Sequence, residues 1–174
     1  MEIFPASVND IPVIQHIASL TWPHAYAEIL TPGQVGYMLN MMYSSSTLRT
    51  QMEEEGHHFF VLYKNSEPVG FAGISSVDYT NNQQEEKKNC WKLHKLYVLP
   101  NLQKSGAGKA LMEKCMSLAK QNNGDLLILN VNRQNPAYHY YLAKGFEVLE
   151  EVNVDIGEGF YMNDYVMGKP LTGE

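Results

Sequence analysis

Hydrophobic and polar positions along the chain change period several times, and each change marks an element. Glu2 to Ala6 is a short run that can form a first strand. Ile11, Ile14, Ile17 and Ala18 recur at helical spacing, so a helix is expected from an Asn9 or Asp10 cap through Leu20, with Pro12 in its first turn. Thr21-Trp22-Pro23-His24-Ala25-Tyr26 breaks that pattern. Pro32 opens a second helix with Val35, Leu39 and Met42 on one side, and Ser44 to Ser46 cap a third over Thr47 to Glu55, stopped by Gly56. The period then falls towards two: His58 to Tyr63 and Val69 to Val77 read as strands joined by a turn at Asn65-Ser66-Glu67. Thr80 to Asn89 is polar throughout and reads as a flexible hairpin loop.

The second half repeats a strand-then-helix rhythm. Leu93 to Leu99 is a strand ended by Pro100 and Asn101. Gln103 to Gly108 forms a short loop, and Leu111, Cys115, Leu118 and Ala119 give the next helix its apolar face. Leu126 to Val131 is continuously apolar, as a strand buried on both faces must be. Pro136 to Lys144 is a short helix closed by Gly145. Glu147 to Ile156 and Tyr161 to Met167 are strands joined through Gly157-Glu158-Gly159. The order predicts an α/β fold, a mixed sheet of about seven strands with helices on both faces, in a single domain over 1–174 without repeats or linkers.

Composition narrows the classes. Hydrophobic residues make up 44% and charged residues 18% of 174, enough for a globular core. No apolar run approaches the ~20 residues of a membrane span, and Met-Glu-Ile-Phe-Pro lacks the basic and apolar regions of a secretory signal. Two cysteines without ligand spacing point to a reduced, cytoplasmic, metal-free protein. A net charge of −6 argues against nucleic acid and is compatible with a cationic substrate.

The candidate chemistry lies between strand and helix. A glycine loop entering a helix aims free backbone N–H groups at one point, and the helix dipole adds about half a positive charge there, a site for phosphate or pyrophosphate. A Cβ at Gly106 or Gly108 would hold the backbone off such an anion. A triphosphate loop centred on Gly108-Lys109 needs a glycine at Gln103 and a hydroxyl at Ala110, and a dinucleotide loop fails at Leu111. The pattern that fits is Gln-x-x-Gly-x-Gly/Ala, carried by Gln103, Gly106 and Gly108. Here the chain resembles the GNAT superfamily of acetyl-CoA-dependent N-acetyltransferases. A second motif follows: Asn135, Ala137, Tyr140, Tyr141, Gly145 and Phe146 stand at the spacing of Asn-x-Ala-x-x-aromatic-Tyr-x-x-x-Gly-Phe. The element order is also that of the family, and Gly-Phe-Tyr-Met-Asn-Asp-Tyr-Val-Met resembles the tail of bacterial members near the spermidine/spermine N-acetyltransferases.

The resemblance implies transfer of an acetyl group from acetyl-CoA to a primary amine, a small amine, a polyamine or an amino terminus, with no metal. It assigns cofactor contacts to Leu96, Tyr97 and Val98, to Gln103, Lys104, Ser105, Gly106, Ala107, Gly108 and Lys109, and to Asn135 and Tyr141. Tyr141 takes the position of the general acid: a phenol near ~10 is neutral at pH 7 and can protonate a thiolate near ~8.5. Many members carry a glutamate base where this chain has Lys92. Strand alternation puts Lys92, His94, Leu96 and Val98 on one face. His94, with an ordinary histidine value near ~6.5, is the candidate base, and a water chain is its rival. His57, His58 and His139 fit no such pattern. Trp22, His24, Tyr26 and Glu28 lie in the segment that selects the acceptor, where cation–π and charge contacts could hold an amine; they could equally form a helix-junction core, the favoured reading for Trp22. Asp155, Glu158 and Asp164 read as exposed acids. A non-catalytic acyl-CoA sensor is the alternative function, and the sequence leaves room for a homodimer.

Overall fold

The computed structural model describes residues 1–80 and 88–171. The strands are β1 (Glu2–Pro5), β2 (His58–Lys64), β3 (Glu67–Val77), β4 (Cys90–Val98), β5 (Leu126–Asn132), β6 (Glu147–Gly157) and β7 (Phe160–Pro170). The helices are α1 (Ile11–Ala25), α2 (Pro32–Tyr43), α3 (Ser45–Glu53), α4 (Ala107–Gln121) and α5 (Ala137–Ala143). Hydrogen bonds join the strands in the order β1-β2-β3-β4-β5-β7-β6. The β4–β5 pair is parallel, and β1–β2, β2–β3, β5–β7 and β6–β7 are antiparallel. This is the mixed seven-stranded α/β architecture expected. Residues 81–87 of the polar loop expected over Thr80 to Asn89 lie outside the described residues.

The chain packs as two compact units. The first comprises Met1–Ser75 and His94–Cys115, the second Ser76–Leu93 and Met116–Glu174. In the first, Ser7 and Asp10 form a reciprocal cap over a short 3₁₀ turn at Val8–Asp10 that leads into α1. Helix α1 runs five residues beyond the expected end at Leu20, with Pro23 inside it. The proline removes one hydrogen bond, to the Ser19 carbonyl, and an interior proline costs about 3 kcal/mol. Continuing the helix buries Trp22 to 1% exposure, worth a similar amount for so large a ring. Near the helix end the burial prevails. Thr31 and Ser44 cap α2 and α3 through the N–H groups of Gln34 and Thr47. Asn65 and Ser66, both at positive φ, make the tight turn between β2 and β3.

The second unit has its core in Cys90, Leu126, Ile128 and Val166, with Val77, Tyr79, Leu149 and Val152 packed against them. The ladder sets Cys90 to Leu93 beside Leu126 to Leu129. Strand β6 ends the sheet. Its register against β7 shifts between Val148 and Glu150 and again between Asp155 and Gly157. Glu147, Glu151 and Asp155 are exposed along it. Both cysteines are buried and unbridged, and burial pushes the Cys115 thiol up to about 12.

Candidate functional site

In the first unit, β4 leaves the sheet at Val98. The Leu99 N–H bonds the Val69 carbonyl at 2.9 Å, and a single 3₁₀ turn at Pro100–Leu102 replaces the simple stop expected there. The loop then reverses through two residues at positive φ, Lys104 at 66° and Gly106 at 87°. A Cβ built at Gly106 would meet nothing within 4 Å, so the backbone conformation rather than crowding calls for glycine there. Gln103, Lys104, Ser105 and Gly106 are exposed. Helix α4 starts at Ala107, whose N–H donates to the Ser105 hydroxyl oxygen at 3.4 Å, and the first helical bond runs from the Ala110 N–H to the Gly106 carbonyl at 3.0 Å. The N–H groups of the first turn have no acceptor within the helix, and a fifteen-residue helix adds its dipole behind them. An open loop, a glycine in the left-handed region and a helix N-terminus fit a pyrophosphate. Lys109 is exposed and turned along the helix to Glu113, 3.6 Å away.

Along β4, half-buried Lys92, His94 and Leu96 alternate with buried Leu93 and Lys95. His94 Nε2 lies 2.8 Å from the Ser75 hydroxyl. Its ring stacks on His57, centroids 4.4 Å apart, and His57 in turn stands 6.2 Å from Phe59 and 3.7 Å from a Glu55 carboxylate oxygen. Sequence reasoning set His57 aside. It lies just before β2, which β3 separates from β4 in the sheet, so no local pattern announces its contact with His94.

On the other phase of β4, Lys95 is 3% exposed. Its ammonium donates to Gln51 Oε1 at 3.1 Å and lies over the rings of Tyr43 and Phe59 at 5.6 and 5.3 Å. The alternation itself carried this signal, since Lys95 falls in the apolar phase with Leu93. Tyr97, on the same phase, stands 5.7 Å from both Trp22 and Phe71, and its hydroxyl is 3.3 Å from that of Tyr26.

The acceptor-selecting candidates divide into two groups. Trp22 and Tyr26 are core residues, 1% and 7% exposed, with rings 4.5 Å apart. The Trp22 indole N–H is taken by the Tyr43 hydroxyl at 3.0 Å. An indole so enclosed, with its donor spent internally, offers no face to an amine. His24 and Glu28 are exposed.

In the second unit, α5 presents Tyr141. Asn135 caps the helix, its side-chain oxygen accepting the Ala137 N–H at 2.9 Å. The helix ends in a Schellman arrangement: the Phe146 N–H bonds the Tyr141 carbonyl at 3.1 Å, the Gly145 N–H bonds that of Leu142 at 3.0 Å, and Gly145 sits at φ +85°. The half-buried Tyr141 ring meets Phe146 edge-on at 5.6 Å and Tyr140 at 5.5 Å. Backbone and ring contacts together fix where this phenol points.

Asp164 corrects another expectation. It is 6% exposed rather than a surface acid. Strand β7 places it opposite Asn132 on β5 and Val152 on β6, inside the sheet rather than at its rim. Asn130 donates to Asp164 Oδ2 at 3.4 Å, and Oδ1 has no hydrogen-bond partner among the described residues. Burial raises its carboxyl above the ordinary aspartate range, against the opposing pull of Asn130, Lys92 and Arg133. Burial likewise lowers the Lys92 ammonium, and Asp164 opposes that shift.

Residues 20–146 match the family described as "Acetyltransferase (GNAT) family". The chain is 24% identical over 166 residues to an uncharacterized N-acetyltransferase of Mycobacterium tuberculosis, covering 95% of this chain and all of the relative. Among solved structures it is similar to the PaiA N-acetyltransferase of Thermoplasma acidophilum in complex with coenzyme A, with a TM-score of 0.77, 21% identity, and 98% and 99% of the two chains covered. It is similar also to the ribosomal-protein-alanine N-acetyltransferase of Brucella melitensis, with a TM-score of 0.63, 18% identity, and 98% and 99% covered.

Proposed function

The chain belongs to the acetyltransferase (GNAT) family, and from that premise we propose that it transfers the acetyl group of acetyl-CoA to a primary amine by direct attack. The observation that carries the reading is the loop into α4. Its backbone turns through Lys104 and Gly106 at positive φ and leaves the helix N-terminus open to an anion. Backbone of Gly106, Ala107, Gly108 and Lys109 would hold the pyrophosphate, flanked by Gln103, Lys104 and Ser105, with Leu96, Tyr97 and Val98 along the pantetheine arm. The PaiA structure bound to coenzyme A supports that ligand for this fold.

In the reaction the amine nitrogen forms a bond to the acetyl carbon, the carbon–sulfur bond breaks, and the thiolate leaves. Tyr141 gives the leaving sulfur a proton, and its fixed ring suits a donor that must meet one atom. Asn135 acts through the helix it caps, by setting the start of α5. A primary alkylamine with a pKa near ~10.4 is mostly protonated at pH 7, so a base must take one proton. His94, held by Ser75, is the group we assign to it. His24 and Glu28 stand on the surface of the segment that precedes α2 and meet the acceptor there. The protein works as a cytoplasmic enzyme on a small amine or an amino terminus. Among the described residues no helix is long and apolar enough to cross a membrane.

The test is thiol release from acetyl-CoA over a panel of amines, followed by mass spectrometry of the products. Release with at least one amine, and a product heavier by one acetyl group, supports the transferase. Tight acetyl-CoA binding without release for every amine overturns it in favour of an acyl-CoA sensor.

A further inference from the structure

The first unit stacks two imidazoles, and only one of them has a role in the chemistry above. The His57 side chain is largely buried, and its Nε2 lies 3.7 Å from the carboxylate of Glu55, an exposed residue on the turn after α3. His94 is half-buried on β4 with its ring 4.4 Å from that of His57 and nearly parallel to it. Imidazole nitrogens give and take protons in the plane of the ring. Rings stacked flat therefore do not hand a proton to one another, but each feels the other's charge. Two cations at that separation repel, the more so where water is partly excluded. Two groups this close take up protons as a pair, in two steps that belong to both.

The groups around the stack decide which ring is protonated first. The Glu55 carboxylate stands against His57 and favours a proton there, with a strength that solvent screening keeps modest. Ser75 of β3 is neutral, and its hydroxyl can donate to His94 Nε2 or accept from it, so it suits either form of that ring. Phe59, 6.2 Å from His57, is apolar. Lys95, on the other phase of β4, lays its ammonium over the Phe59 ring and adds to the cost of a second positive charge. His58, next along the chain, is exposed. We infer that His57 is a positioning residue for the base: together with Glu55 it takes the one proton the pair holds near neutral pH, and its charge keeps His94 unprotonated and ready for the amine. The inference rests on the transferase reading and adds the residue that sets the pH at which the base works.

The experiment compares the pH dependence of kcat/KM, with one active amine, in wild type and in His57→Phe, which keeps a flat ring and removes the charge. The rising limb assigned to His94 should move up by about one pH unit, because no neighbouring cation then opposes its protonation. Glu55→Gln should move the limb the same way by a smaller amount, since it only loosens the hold of His57 on the proton. His57→Gln, polar but without a titrating charge, should match His57→Phe and replaces it if the phenylalanine variant melts early. NMR titration of the imidazole signals reads the same coupling without turnover, the His94 signal being the one lost in His94→Ala. In wild type it should titrate about one pH unit lower than in His57→Phe. A limb that stays in place or moves down in both His57 variants overturns the inference and leaves the transferase standing. Absence of thiol release with every amine overturns the transferase reading, and the imidazole titrations then decide the coupling by themselves: the same His94 midpoint in wild type and His57→Phe overturns it.

Discussion

His57 lies flat against His94, the ring planes 18° apart. The stack, together with the Ser75 hydroxyl on Nε2, holds the His94 ring in one orientation. A base positioned in this way costs less reorganisation when the amine arrives. With His94 as base, kcat/KM should rise with pH through an apparent value between about 6 and 8, as the imidazole loses its proton. His94→Ala should remove that limb and leave the amine's own ionisation. An amine of low pKa should lose less activity in the variant than one of high pKa. Equal losses would mean that the ring only packs. His57→Phe keeps a flat ring against His94 and should keep the limb.

Tyr141→Phe preserves the edge contact to Phe146 and every backbone bond of the Schellman turn. It should lower kcat by about ten-fold or more, the cautious end for acid catalysis, with acetyl-CoA affinity little changed. Steady-state kinetics beside a direct binding measurement check it, and unaltered turnover with every active amine would remove Tyr141 from the mechanism.

Gly108→Glu puts a carboxylate in the first turn of α4, where the dipole and free N–H groups favour an external anion. Acetyl-CoA should no longer raise the melting temperature, while the apo protein melts near wild type. Gly106→Ala tests the same loop by conformation. It forces a Cβ into the left-handed region at about 1 kcal/mol or more and should weaken acetyl-CoA binding without blocking it.

Asp164→Asn should stabilise the fold at neutral pH. The folded-state value of Asp164 is raised, so ionisation in the native protein is harder than in the unfolded chain. Stability present below the ordinary aspartate value near ~3.9 is lost as the pH rises through the folded one. The amide escapes that loss. Its melting temperature should exceed wild type at pH 7, and the gain should shrink as the pH is lowered towards 4. A constant difference across that range would show that the carboxylate is not the cause.

Tyr43→Phe leaves the Trp22 indole N–H buried without its acceptor. The penalty for such an orphaned donor is about 1–3 kcal/mol, read as a lower melting temperature or denaturant midpoint, with acetyl-CoA affinity unaffected. Burial raises the Tyr43 phenol well above its ordinary value, so the hydroxyl remains an uncharged partner throughout the physiological range.

What could be read in advance was local. The order of elements followed from changes of period, and the loop at Gln103 to Gly108 and the turn after Tyr141 followed from glycines whose positive φ or helix-terminal place leaves a mark in sequence. What could not be read depended on elements far apart in the chain. That Trp22 belongs to a core could be read, but not which residues enclose it, because those tyrosines come from 43 and 97. Asp164 looked exposed in a polar hairpin because its burial is made by Asn130 and the strands on either side. His57 became interesting only beside His94. Pro23 failed as a stop signal for the same reason: a local rule yielded to burial arranged by distant residues.

Strand β6 closes the sheet with one row of backbone groups facing outward, the kind of margin on which another chain can add itself. Its two register shifts bend that row, and Glu147, Glu151 and Asp155 stand along it. A second copy laid edge to edge would bring those acids together. Near neutral pH the enzyme is thereby guarded against growing into fibres or sheets of itself at high concentration. Acid, by discharging the carboxylates, is the condition under which that guard drops.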